Sequence, residues 1–235
     1  MVEFLATFGV RFYATKFSEV KLSIQKLITL HYLMNNIRAI KGNQVIWFSI
    51  WGTAIFWGMS QNLVAVIPAL AKVNLGVTSP LMVNAMLALS IIGIMIGAYL
   101  SARKSINSVK VNNIYTGSTT ITVCAILVPI VSTLGFIPNS TALIMVSALI
   151  MVFGIGAGMM LVPLNALIQA HSAKDGLGSV LAGKNWIQNM AMIGLLLLTV
   201  LLAKSNVNSV YILYLNALIA VVGFTVVLKR LKAIL

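Results

Sequence analysis

The sequence predicts an all-α membrane protein of six transmembrane helices, and three observations carry that prediction. Hydrophobic residues make up 60% of the chain and charged residues only 8%, with a mean hydropathy of +1.03. That composition belongs to membrane-embedded chains. Apolar runs recur six times, each close to the roughly 20 residues a helix needs to cross the hydrocarbon. Basic residues gather in alternate connections, as the positive-inside bias requires.

Residues 1–44 read as a basic connector ahead of the first span. Over 12–41, apolar residues return at helical spacing (Leu22, Ile24, Leu27, Ile28, Leu33, Ile37) among Lys16, Lys21, Lys26, Arg38 and Lys41. An amphipathic helix on the cytoplasmic face has this pattern, and a solvated linker fits the same residues. Glu3 and Arg11 interrupt the opening stretch, so it does not make a secretory signal.

The transmembrane domain is predicted over 45–230, with a cytoplasmic tail at 231–235. Span one, 45–70, carries Trp47 and Trp51 near its start, where interfacial aromatics sit. Span two covers 80–100, span three 113–134, and span four 141–169, the last long enough to tilt. Spans five and six cover 178–203 and 209–228. With both termini inside, only Lys72 and Lys204 of the 16 Lys and Arg residues fall outside. This asymmetry makes six spans with cytoplasmic ends the expected topology.

Several functions are excluded by what the chain lacks. The net charge of +13 is spread over inside loops rather than along one face, which argues against nucleic acid as a partner. The single cysteine, Cys124, lies in an apolar run and cannot form an internal disulfide. Gly178-Ser-Val-Leu-Ala-Gly183-Lys184-Asn185 nearly spells a phosphate-binding loop, but asparagine replaces the magnesium-binding hydroxyl and no strand precedes it. Glu3, Glu19 and Asp175 are the only acids, and all lie outside the spans. Paired carboxylates, a metal site built on the separate His31 and His171, and an intramembrane carboxylate relay are therefore not expected. Nothing here describes an enzyme or calls for a cofactor.

What remains is polarity at membrane depth. Span four holds Gly154-Ile-Gly-Ala-Gly158, Pro163, and the amides Asn165 and Gln169 one turn apart. Span five opens with Lys184, Asn185, Gln188 and Asn189, and the i, i+3, i+4 spacing puts its three amides on one helix face. Gln61 and Asn62 in span one and Asn84 in span two complete the set. Any one amide can serve as interhelical glue, but their number across four spans points to a polar lining. Lys184 suits an anionic headgroup, or marks the inside end of its span. Gly93-Ile-Met-Ile-Gly97 and Gly154–Gly158 are both Gly-x-x-x-Gly, read as close helix packing, with a hinge role as the alternative.

Six spans with both ends inside, behind a basic connector, resemble the C-terminal half of a major facilitator superfamily transporter. Gly97-Ala-Tyr-Leu-Ser-Ala-Arg103-Lys104 resembles that superfamily's loop between the second and third helices of a half, with Ser101 near the place of its usual aspartate. A narrower likeness, over 52–198, is to the bacterial lysophospholipid transporter (LplT) family. It rests on Gly52-Thr-Ala-Ile-Phe-Trp57-Gly58, Asn74-Leu-Gly-Val-Thr78, Asn84-Ala-Met-Leu-Ala, Val162-Pro163-Leu-Asn165-Ala-Leu-Ile-Gln169 and Gly183-Lys-Asn-Trp-Ile-Gln188-Asn189. Gln188 stands where that family usually has glutamate.

The resemblance implies inward flipping of lysophosphatidylethanolamine-type lipids across the bacterial inner membrane. Gln61, Asn62, Asn84, Asn165, Gln169, Lys184, Asn185, Gln188 and Asn189 are then the candidate substrate-binding residues. It also implies an N-terminal transporter half or a second copy to complete the path, and a cytoplasmic-side acyltransferase as a partner. Two other readings stay open. One is an inactive, truncated transporter remnant; the other is a membrane scaffold for the acyltransferase, docked through 12–41.

Overall fold

The computed structural model describes residues 31–104, 111–173 and 176–235. Residues 36–235 form one compact unit. The predicted connector falls largely on residues 1–30, outside the described residues. Its last part is helical: α1 runs His31–Lys41.

Six longer helices follow: α2 (Gln44–Asn74), α3 (Pro80–Lys104), α4 (Val111–Ser132), α5 (Asn139–His171), α6 (Leu177–Lys204) and α7 (Ser209–Ile234). All six are long and apolar enough to cross a membrane. The six predicted spans match them to within a few residues at most ends. Helix is the form expected, because hydrocarbon offers no partner to a free N–H or C=O. At 33 residues, α5 is about 50 Å long, well beyond the ~30 Å apolar thickness. Helix α7 continues past Lys229, Arg230 and Lys232 to Ile234. Those charges mark an edge of the apolar stretch; backbone hydrogen bonding runs on through them.

The helix ends are chemically explicit. Asn43 caps α2, its Oδ1 accepting from the amides of Val45 (3.0 Å) and Ile46 (3.3 Å). Asn208 caps α7 in the same way through Val210 N–H at 3.0 Å. After α6, Asn206 adopts φ 56°. Its N–H returns to Ala203 O and that of Val207 to Leu202 O, both at 3.0 Å, which closes the helix with a Schellman motif.

Packing follows a repeat. Helix α3 lies against α5 as α6 lies against α2; α4 packs on α5 as α7 packs on α2; α4 also meets α7, and α2 meets α5. Exchanging α2–α4 for α5–α7 leaves that pattern unchanged. Each repeat has three spans, so the second threads the membrane in the opposite direction, an inverted-topology repeat. The main core lies among α2, α4, α5 and α7, with Phe56, Met59, Ile121, Ile150, Met160, Ala220 and Phe224 buried in it. In the most apolar stretch of α3 and α6 only 22% and 17% of residues are buried, against 44–56% in the other four. These two helices are held mainly from one side.

The two Gly-x-x-x-Gly motifs are the two sides of one contact. A Cβ on Gly93 or Gly97 would strike the carbonyls of Met151 and Ile155, and one on Gly154 or Gly158 those of Ser90 and Ile94. Backbone therefore lies on backbone where α3 meets α5. The other face of α5 repeats the device: a Cβ on Gly156 would lie 2.8 Å from Gly117 O of α4.

Candidate functional site

Polar groups converge at the end of the bundle where α2 and α6 begin and α5 ends. A small apolar cluster of Ile46, Ile50 and Ala54 from α2, Ile168 from α5, and Val180 and Ile187 from α6 fixes the three helices at this level. Gly52 supports the contact, since a Cβ there would stand 3.1 Å from Leu164 Cδ1. Asn165 is the next residue on α5.

Asn165 uses both ends of its amide. Its Nδ2 donates to Leu161 O at 2.8 Å, and its Oδ1 accepts from Lys184 Nζ of α6 at 2.5 Å. The half-buried ammonium is thus held by a neutral dipole. No Asp or Glu occurs among the described residues, so none of them gives this cation an ionic partner. Gln188, one turn beyond Lys184 on the same face, is buried with its Nε2 unpartnered. On α2, Ser49 is buried with a free Oγ, and Thr53 turns its hydroxyl back to Ile50 O at 2.8 Å.

A cation, a carboxamide oriented by its own backbone bond, and a donor with no partner make an arrangement suited to an anion such as a phosphodiester. Lys184 supplies charge; Asn165 fixes where that charge sits; Gln188 Nε2 offers an uncommitted N–H.

The other sequence-predicted residues lie elsewhere. Asn185 and Asn189 are exposed, so burial separates Gln188 from its two neighbours on α6. Gln169 is exposed near the end of α5. Gln61 is half-buried, and Asn62 is buried with a free Oδ1; they lie about 12 and 14 Å farther along α2 than Thr53. Asn84 is exposed near the start of α3, in a shallow cleft with Pro68, Lys72 and Thr78 at the opposite end of the bundle. The structure therefore bonds Asn165 to Lys184, with Gln188 buried one turn along α6; Gln169, Asn185, Asn189 and Asn84 are exposed, and Gln61 and Asn62 lie farther along α2.

Sequence reasoning passed over Ser49 and Thr53, because short hydroxyls in an apolar helix so often bond their own backbone. It also passed over Asn113. Ser101 is fully buried and donates to Met159 O of α5 at 3.3 Å. Asn113 Nδ2 of α4 donates to Ser101 Oγ at 3.2 Å.

Comparison with known proteins gives the arrangement a context. The sequence model of the Major Facilitator Superfamily matches residues 5–193. The lysophospholipid transporter LplT of Shigella flexneri is 34% identical over 150 residues, 62% of this chain and 35% of that protein. Its namesake in Yersinia pestis (strain Pestoides F) is 32% identical over 164 residues, 67% of this chain and 36% of that protein. The matched part of the chain thus spans about a third of the length of these curated relatives. No solved structure matches the chain.

Proposed function

The chain belongs to the Major Facilitator Superfamily, and on that premise we propose that it is the six-span half of a lysophospholipid transporter. The substrate is a lysophosphatidylethanolamine-type lipid, flipped inward across the bacterial inner membrane. The observation that carries this reading is Lys184, a cation within a membrane span whose described partner is a neutral amide. Such a residue is costly in hydrocarbon and is retained where a ligand uses it.

The lipid phosphate takes the Lys184 ammonium and the free Gln188 N–H. The lipid ammonium is served by amide oxygens, and the single acyl chain stays against apolar helix faces. A zwitterion needs no further buried countercharge. The six spans contain no Asp or Glu, so this half offers no carboxylate for coupling to a proton gradient. The relatives are much longer, and in this superfamily the path lies between two halves. The broadly exposed sides of α3 and α6 are where a second half, or a second copy of the chain, would seat. Family membership favours transport over the scaffold and remnant readings.

Lysolipid uptake by membranes containing the protein with its complementary half tests the assignment. Lys184→Met is expected to lower uptake by at least tenfold, the loss of one charge-assisted hydrogen bond of about 1.5–3 kcal/mol. Asn165→Ala and Gln188→Ala should each lower it less. Unchanged uptake in all three variants, at equal membrane abundance, would sink the site.

A further inference from the structure

At the same end of the bundle, α6 presents a different face to a groove that the headgroup site does not use. The groove holds about 370 Å³ and is lined by Ile37 and Lys41 of α1, Trp47 and Trp51 of α2, and Trp186 and Met190 of α6. Three of the chain's four tryptophans thus meet in one place. Trp47 and Trp51, one turn apart, stand edge to face with centroids 5.7 Å apart. Trp51 and Trp186 keep 38% and 40% of their surface open. Lys41 Nζ lies 5.5 Å from the centre of the Trp47 ring.

The walls are held in place. Ile40 is fully buried, and its Cδ1 occupies the space a Cβ on Gly183 would take, which fastens the end of α1 to α6. Asn43, which caps α2, also reaches the carbonyl of His171 at 3.5 Å.

Charge selects the occupant. No Asp or Glu occurs among the described residues, and Arg38 lies one turn before Lys41 on α1, exposed. A quaternary or primary ammonium entering this aromatic groove would meet Lys41 already on the ring face, so a cationic ligand is disfavoured. A negatively charged headgroup is favoured, and indoles supply the amphipathic surface on which glycerol and the upper acyl chain rest. We propose that this groove is a binding site for an anionic diacyl phospholipid of the adjoining leaflet, its phosphate on Lys41 and its glycerol region against Trp47, Trp51 and Trp186. The site is separate from Lys184, which lies two residues before Trp186 on α6 and faces Asn165 instead. It stands whether or not lysolipid is the transported substrate.

The test is thermal unfolding of the purified full chain in neutral detergent, titrated with phosphatidylglycerol, phosphatidylethanolamine or inorganic phosphate. Phosphatidylglycerol is expected to raise the midpoint saturably, and at least fivefold more phosphatidylethanolamine should be needed for the same rise. Lys41→Gln and Trp186→Leu should each weaken the phosphatidylglycerol effect about fivefold or more, while Lys72→Gln, at the other end, leaves it unchanged. Equal stabilisation by both lipids, or an undiminished effect in Lys41→Gln, overturns the proposal. So does full stabilisation by inorganic phosphate alone, which would make the groove a site for free anions.

Discussion

Ser101→Ala probes how a proline is carried inside a membrane helix. Pro163 has no N–H, so the carbonyl of Met159, four residues back, loses its ordinary helical donor. The Ser101 hydroxyl supplies one at 3.3 Å and accepts from Asn113 Nδ2 at 3.2 Å, tying α3, α4 and α5 together. Alanine removes both bonds and strands a carbonyl and an amide N–H in the interior. Buried orphans cost about 1–3 kcal/mol each, while interhelical bonds measured within membranes average nearer ~0.6 kcal/mol. Both bonds are long, so a total loss of about 1–2 kcal/mol is expected. Pro163→Ala restores a donor to Met159 O. In that background the loss of Ser101 should cost only the Asn113 bond, about 0.5–1 kcal/mol less. Reversible unfolding in mixed micelles, run as a double-mutant cycle, reads this coupling. If Ser101→Ala costs the same with and without Pro163, the hydroxyl does not serve the Met159 carbonyl and the reasoning fails.

Other expectations follow from the same contacts. Gly97→Ala should destabilise the bundle by about 1–3 kcal/mol, because the new methyl meets the Ile155 backbone, which cannot turn aside. Gly194→Ala, in open space on α6, should be neutral or stabilising by up to ~1 kcal/mol in the same unfolding assay. Asn43→Ala should cost about 1 kcal/mol through the lost cap of α2, and Asn43→Gly only a few tenths. Lys184→Met should raise the unfolding free energy in the absence of ligand by an amount of the order of 0.5–2 kcal/mol, while lowering lysolipid uptake. A destabilised Lys184→Met protein would show instead that the lysine is a structural strut.

The spans were legible in the sequence because hydrocarbon permits few backbone solutions, and six apolar runs of the right length leave little choice. Charge placement separated the runs but overstated where helices stop, as the continuation of α7 through Lys229 and Arg230 shows. The paired Gly-x-x-x-Gly motifs were each visible, yet nothing local says that Gly93 and Gly97 meet Gly154 and Gly158. That pairing is set by the order in which helices pack. The site was legible in part for a related reason. Helical spacing placed Asn185, Gln188 and Asn189 on one face, but how far a neighbouring helix overlaps that face depends on where α2 crosses α6. Of the three, only Gln188 is buried. The link between Asn165 and Lys184, 19 residues apart, likewise exists only where the end of α5 meets the start of α6. Local sequence places Ser101 only in a stretch that resembles a superfamily loop, whereas its partner is a carbonyl freed by a proline 62 residues away, which no sequence pattern records.

The most direct test of the account is equilibrium binding of lysophosphatidylethanolamine to the purified protein and to Lys184→Met, with phosphatidylglycerol binding measured alongside. A Kd for the lysolipid at least tenfold weaker is expected in the variant, the equivalent of about 1.4 kcal/mol or more, with phosphatidylglycerol binding unchanged. Equal lysolipid affinity in the two proteins would contradict it, and would remove Lys184 and Asn165 from the substrate path.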